Sequence, residues 1–486
     1  MAKGHKRIIV WMRRALRAQD NTPLRAAVQD ADEVIPLFCL RDEPRYRENT
    51  VRRQFLRALL RDCDTNLRRI GSRLFICAGD PEKEIPAAVR NSGAGALYAV
   101  RVYDSPTIER DIRIASALKK FGAEFVKFKD AVLFEGPEIL SQNGSPYRIF
   151  TPYRRAWLSR LSDVPPVLPH LRSVTSPTRA SGAHPLDRFA GFRGIDSGRG
   201  ETLALKSLHA FVDDAVLDYK EKRDFPGTEG TSRLSPFLAN GAISIRTVFW
   251  TLRAARETAD RIARESIDVF LSELVWREFY YQILHHFPFV LFRAFRNELD
   301  AVAWFDDPTH FTAWRNGRTG YPIVDAAMRQ LNSEGWMHNR ARMIVASFLT
   351  KDLHINWQWG EKYFLERLID ADLACNNGGW QWVAGTGTDA SPWFRIFNPV
   401  LQGEKFDPDG AYVRRYVPEL AHVPERWIHK PWLLKREKQR SSECIPGTSY
   451  PLPIVDHNVA RRITLQLYRT VRKRTPPASI KAGEIS

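Results

Sequence analysis

Between Asp370 and Asp389 the chain reads DADLACNNGGWQWVAGTGTD. Three acids, the adjacent amides Asn376 and Asn377, a Gly-Gly pair and the indoles of Trp380 and Trp382 fall within this stretch. A glycine-broken segment without apolar periodicity is expected to form a loop, and loops on a rigid scaffold are where binding and catalysis concentrate. Tryptophan in such a segment must pack against something, so the pattern fits the wall of a pocket for a flat, partly polar ligand. It equally fits a core loop whose tryptophans fill space.

Three further groups could do chemistry. Within Ser266 to Phe287, the side chains of Glu273, Trp276, Arg277 and Tyr280 share one side of an expected helix, beside an apolar stripe of Ile267, Phe270, Leu271 and Leu274. An acid, an indole, a guanidinium and a phenol there resemble the lip of a polar-aromatic cavity, although an interhelical ion pair with packed aromatics has the same pattern. A second helix is expected to begin near Trp336 to Asn339 and run through SFLTKDL, with Asn339, Arg340, Arg342 and Met343 on its first turns. An amide and two arginines there could read a base edge and its flanking phosphates; a plain basic helix is the alternative. The third group is Thr231-Ser232-Arg233-Leu234-Ser235-Pro236, preceded by Tyr219 and Arg223. Hydroxyls and backbone amides at a helix start can hold a phosphate or simply cap the helix.

The elements that must position these groups divide the chain in two. Residues 7–130 alternate short β-branched runs (Ile8 to Met12, Val34 to Leu40, Leu74 to Cys77, Leu97 to Tyr103, Phe125 to Phe128) with helical stretches such as Arg53 to Ile70. That alternation predicts a parallel sheet wrapped on both faces. The first strand runs into Arg13, Arg14 and Arg17 rather than G-x-G-x-x-G, which argues against a dinucleotide on that sheet. From Asp163 to Gly200 five prolines and five glycines mark a linker, and from about Glu201 the pattern is helical.

Composition sets the remaining bounds. Lys and Arg number 73 against 56 Asp and Glu, a net charge of +17, which favours a polyanionic partner, nucleic acid above all. Of 14 tryptophans, 12 lie from Trp250 onward. The five cysteines are scattered with no CxxC pair, so neither a zinc site nor a disulfide framework is indicated and a reducing, cytoplasmic home is expected. No apolar run is long enough to predict a signal peptide or a membrane span. The tail from His457 is basic, with seven Lys and Arg against Glu484.

Taken together, the segments EGTSRLSPFLANGAIS, SELVWREFYY, GRTGYPIVDAAMRQLNSEGWMHNRARMIVASFLTKDL, DADLACNNGGWQWVAGTGTD and FRIFNPVLQGEKFDP resemble the photolyase and cryptochrome family. The resemblance is closest to the class I cyclobutane pyrimidine dimer photolyases, which mend ultraviolet-damaged DNA with light. It implies an α/β, Rossmann-like N-terminal domain with a parallel five-stranded sheet over 5–132, a linker over 133–200, and a large all-α FAD-binding and DNA-binding domain over 201–476. Carried across residue by residue, Tyr219 and Thr231, Ser232, Arg233, Leu234 and Ser235 grip the FAD phosphates, and Arg342, Asp370, Ala371 and Asp372 hold its flavin and ribityl side. Asn376 faces flavin N5; an amide cannot deliver a proton as an Asp can, so it suits reduced, anionic FADH−.

The substrate side follows the same resemblance. A dimer is swung out of the duplex to reach the flavin. Trp276 and Trp382 clasp it, Glu273 bonds the pyrimidine, and Asn339 and Met343 contact it. Arg277, Tyr280, Arg154, Arg223, Arg340, Arg395 and Lys405 complete the DNA surface. Excited FADH− gives an electron to the dimer, the ring splits and the electron returns. Trp380, Trp357 and Trp304 match the chain that re-reduces oxidised flavin. The implied partner is dimer-containing DNA, met by a monomer without metal or membrane.

The N-terminal part departs from the family pattern. Relatives read Arg-Asp-Leu-Arg where this chain has Arg14-Ala15-Leu16-Arg17, and the loop Tyr103 to Thr107 lacks the Asn-Glu that holds a folate in some relatives. The second, antenna chromophore is therefore a deazaflavin, a folate bound differently, a flavin, or absent. Two other activities share the family: (6-4) photolyases carry two His where this chain has Asn339 and Met343, and blue-light sensors tend to lose the Glu and Trp lip kept here.

Overall fold

The structure, a computed structural model, describes residues 3–41, 50–189, 192 and 198–474. Two compact units emerge: Met1–Glu221 with Gly230–Pro288 and Ile369–Asp372, and Lys222–Glu229 with Phe289–Leu368 and Leu373–Ser486.

The first unit opens on the expected sheet. Strands β1 (His5–Trp11), β2 (Ala31–Leu40), β3 (Phe75–Ala78), β4 (Ala96–Val100) and β5 (Glu124–Phe128) pair in parallel in the order β5-β4-β1-β2-β3. Their runs are apolar because both faces are covered: Ile9, Trp11, Ile35, Leu37, Phe75 and Leu97 pack with Ile85, Val89, Ile114 and Leu118 from two helices on one side. Asn21, Asp80 and Asp104 cap the three helices that follow them, each accepting a backbone N–H from the first turn. The Thr50–Arg69 helix realises the stretch expected from Arg53 to Ile70.

Among the described residues the sheet has six strands rather than five. The sixth, β6 (His184–Pro185), is antiparallel and lies on the β3 edge, with Phe75 opposite Pro185 and Ile76 opposite His184. It comes from the stretch expected to be an irregular linker. Two residues with a proline carry no periodicity, and an edge is where a sheet tolerates proline.

Buried ion pairs fix the turn after β1. Arg17 meets Asp130 at 2.5 Å, and Arg246 reaches Asp20 at 2.9 Å and Asp130 at 3.0 Å. Burial alone would push the Asp130 carboxyl up; Arg17 and Arg246 overcome it and hold it below the usual range. The Arg261–His286 helix, capped by Asp260, completes this unit and begins five residues before the apolar pattern started at Ser266.

The second unit is helical. Its site-bearing helices are Pro322–Glu334, Asn339–Ser347, Trp357–Arg367 and Leu373–Ala384. The helix expected near Trp336 starts at Asn339, with His338 as its cap, and passes into a π-turn at Phe348–Asp352. The largest correction concerns the stretch after Asp370: Leu373–Ala384 is a helix, not a loop. Packing overrides the poor propensity of Asn-Asn-Gly-Gly. Trp380 seats against Gly360 of the Trp357–Arg367 helix so closely that a Cβ there would fall 2.1 Å from the indole.

Candidate active site

In the first unit, Glu273, Trp276, Arg277 and Tyr280 are all half-buried, whereas Leu274, Val275, Glu278 and Phe279 between them are buried. The four expected lip residues therefore lie along one edge of the Arg261–His286 helix. Trp276 is laid flat on Phe150, with ring centroids 3.6 Å apart and planes 8° from parallel, and Tyr280 stands 5.7 Å away. Phe150 begins the Phe150–Leu158 helix, so the indole face is set by a second element. The Arg277 guanidinium donates to the Ala131 carbonyl at 2.7 Å and covers the Tyr281 ring at 4.7 Å. Arg154 is half-buried.

The sequence reading missed Glu278. Its buried carboxylate accepts from the backbone N–H groups of Leu133 and Phe134 and from Trp157 Nε1 at 2.7 Å. Burial pushes its carboxyl up against those donors. It locks the lip helix to the chain just after β5.

The same unit brings Thr231–Ser235 to Asp370. Ser235 Oγ donates to Asp370 Oδ2 at 2.6 Å, and Asn240 Nδ2 donates to the Ile369 carbonyl at 3.1 Å. Arg233 adopts a left-handed φ of 49°, and Ser232 Oγ accepts from Leu234 N at 3.3 Å. Tyr219 is buried against Phe211 and Phe270. Ala371 is half-buried, and Asp372 accepts a hydrogen bond from the Tyr281 hydroxyl. Serine, threonine and arginine on an irregular loop before a short helix suit a diphosphate.

In the second unit, Asn376, Gly379 and Trp382 follow one another at three-residue spacing on the partly exposed face of their helix. A Cβ on Gly379 would meet nothing within 4 Å. The opposite face is buried and fully bonded: Asn377 Nδ2 donates to Glu361 Oε1 and to the Val290 carbonyl, both at 2.9 Å, and Gln381 Nε2 reaches Val290 O at 2.9 Å and Asn377 Oδ1 at 3.2 Å. Asn376 Nδ2 donates to the Glu361 carbonyl at 3.0 Å. Burial pushes the Glu361 carboxyl up to about 7. Glu361 and Gln381 were also missed; the four-residue step from Asn377 to Gln381 was a helical signal hidden by the Gly-Gly pair.

The remaining expected residues of this unit sort by exposure. Asn339 is exposed and its amide lies 3.9 Å from Met343 Sδ, which brings those two together. Arg342 Nε donates to the Met337 carbonyl at 2.8 Å. Arg340 pairs with Asp224 at 2.8 Å and sits 4.4 Å over the Phe406 ring, with Lys405 Nζ 5.1 Å from the same ring. Arg395 is exposed, its carbonyl held by Lys351 Nζ at 2.9 Å, and Arg223 is half-buried. Trp380 and Trp357 are buried, while Trp304 is half-buried beside Tyr468.

Each set by itself fits one part of a flavin adenine dinucleotide. The Asn376–Gly379–Trp382 face is half-buried with space at Gly379 for a ligand, and the Thr231–Ser235 loop offers donors for phosphate. At the sheet, the loops after β1 and β4 lie side by side where the strand order reverses, the position at which open α/β sheets take ligands. Trp11 there is flanked by the guanidinium groups of Arg13 at 4.3 Å and Arg110 at 4.9 Å.

Residues 270–470 match the family model described as the FAD binding domain of DNA photolyase, and residues 8–171 match the DNA photolyase model. The deoxyribodipyrimidine photo-lyase of Agrobacterium fabrum is 41% identical over 478 residues, covering 96% of this chain and 98% of that protein. Its counterpart in Escherichia coli is 39% identical over 479 residues, covering 96% and 99%. Among solved structures, a bacterial class III photolyase from Agrobacterium tumefaciens superposes with a TM-score of 0.88 at 39% identity, covering 97% of this chain and 98% of that one. A Synechocystis cryptochrome gives 0.84 at 28% identity, covering 96% and 100%. An archaeal photolyase from Sulfolobus tokodaii, solved with two FAD molecules, gives 0.78 at 33% identity, covering 96% and 99%. With both family models matched in order and relatives aligned over nearly their whole length, this chain belongs to the photolyase and cryptochrome family.

Proposed function

We propose that the protein repairs cyclobutane pyrimidine dimers in DNA, using light. The observation that carries this reading is the half-buried stripe of Glu273, Trp276 and Tyr280, with Trp276 already stacked on Phe150. A sensor has no need of a half-buried carboxyl beside a pre-oriented indole; an enzyme that must receive an unstacked dimer does. Swinging the dimer out costs a few kcal/mol, which stacking on Trp276 and Trp382 offsets at roughly 1–3 kcal/mol per base.

FAD, when bound, supplies light-driven one-electron chemistry. The chain's own residues do the rest. Glu273 hydrogen-bonds the pyrimidine edge, and Asn339 and Met343 border it. Arg154, Arg223, Arg340, Arg395 and Lys405 track phosphates; Arg340 exchanges Asp224 for a phosphate when DNA arrives. Asn376, steadied through Glu361, presents an amide that offers no acidic proton at the flavin. Trp380, Trp357 and Trp304 run from buried to half-buried and pass electrons inward from the surface. Five scattered cysteines with no CxxC pair fit a reducing compartment such as the cytoplasm.

Glu273→Ala tests the reading. Loss of the hydrogen bond to the pyrimidine is expected to slow repair by about ten-fold, with flavin content unchanged. A variant that repairs as fast as wild type removes Glu273 from the role given to it.

A further inference from the structure

We propose that Tyr281, gripped by Arg14 and Arg277, is a positioning residue that fixes Asp372 for the flavin; the inference rests on the flavin reading above. Tyr281 and Asp372 are both buried, and the phenol hydroxyl donates to Asp372 Oδ2. Two guanidinium groups donate to the same phenol oxygen: Arg14 Nη1 at 3.3 Å and Arg277 Nη2 at 3.3 Å. Arg14 Nη1 also lies 4.0 Å from Asp372 Oδ2, and Arg277 covers the face of the Tyr281 ring. Tyr103 stands edge-on to that ring at 5.5 Å, its own hydroxyl bonded to Glu135 at 2.8 Å.

This geometry is over-determined from the backbone up. Arg14 holds a left-handed φ of 48°, unusual for a side chain of its size. Its carbonyl is pressed so close to Gly241 that a Cβ at that glycine would fall 1.8 Å from it. Arg17 Nη1 ties the turn to the Gly241 carbonyl at 3.0 Å. Strain of this kind persists only where the surroundings enforce it. Here it delivers one arginine to one tyrosine.

The chemistry follows from the direction of each bond. A phenol that accepts from two cations gives up its own hydrogen more strongly, so the bond to the carboxylate is charge-assisted from both ends. A buried carboxylate needs that compensation to stay ionised. With Oδ2 committed to Tyr281, rotation of the Asp372 carboxylate is restricted and its other oxygen is aimed. An Asp held in this way offers the flavin a fixed acceptor rather than a mobile one.

The test uses flavin-loaded wild type, Tyr281→Phe, Asp372→Asn and the double variant, with FAD release followed by its fluorescence. Tyr281→Phe keeps the ring and removes only the hydroxyl. Loss of a hydrogen bond to a charged group is expected to speed release about ten-fold and to shift the flavin's visible band. The double variant should release no faster than Asp372→Asn alone, because both substitutions break one link. Arg14→Gln, which leaves the phenol in place, should give a smaller change in the same direction. Release from Tyr281→Phe at the wild-type rate, or effects of Tyr281→Phe and Asp372→Asn that multiply, overturns the proposal while leaving the flavin reading intact. Wild-type protein that takes up no FAD overturns the flavin reading, and this inference with it.

Discussion

Two buried acids carry more of the site than their sequence context shows. Glu278 gathers three donors on one carboxylate, and Glu278→Ala orphans all of them, Leu133 N, Phe134 N and Trp157 Nε1, beneath the lip. A loss of about 3 kcal/mol is expected in urea unfolding, at 1–3 kcal/mol for each buried group left unpaired. Glu361 adds a pH dependence. Burial raises its carboxyl to about 7, above the usual carboxylate range. Between those values the folded protein holds a proton that the unfolded chain has released, so this group's stabilising contribution is complete in acid and is lost as pH rises through about 7. Glu361→Gln is neutral at every pH and keeps an acceptor for Asn377. Its melting temperature relative to wild type should therefore climb from about pH 5.5 to about pH 8; a constant difference contradicts the assignment. Neither acid was legible in the sequence, because a lone Glu on a helix looks like a solvated one until its partners, 145 and 16 residues away, are in place.

At the scale of elements, the five long strands were legible because apolar β-branched runs between capped helices have few other solutions. The sixth was not, being two residues of edge with a proline. The Leu373–Ala384 helix was misread for a physical reason: Asn-Asn-Gly-Gly is poor helix material, and only the fit of Trp380 into the space at Gly360 and the bonding of Asn377 and Gln381 make it one. The site residues on it were legible only through the family resemblance; a tryptophan count cannot select Trp380, Trp357 and Trp304 from 14. The Gly360 contact is testable. Gly360→Ala places a methyl 2.1 Å from the Trp380 ring and must displace it. Overpacking should cost about 1–3 kcal/mol in thermal unfolding. The same variant should reduce oxidised flavin more slowly under blue light with an added reductant, since Trp380 is one of the two buried indoles of the proposed relay. Unaltered photoreduction would separate that indole from electron transfer.

For the whole molecule, a net charge of +17 spread over exposed cations such as Arg395 and Lys405 makes affinity for DNA an ionic-strength effect. Binding of a dimer-containing oligonucleotide should weaken steeply between about 50 and about 200 mM salt, and Lys405→Ala should flatten that slope without changing preference for the lesion. The fold cannot decide between repair and signalling, because a photolyase and a cryptochrome superpose on it almost equally well, at TM-scores of 0.88 and 0.84. The site decides, and one measurement reaches it directly. A defined oligonucleotide carrying a single thymine dimer is incubated with flavin-reduced protein, half in blue light and half in darkness, and the products are separated by chromatography. Restored thymines in the light and none in the dark are predicted; no restoration in the light, or equal restoration in darkness, would contradict the account.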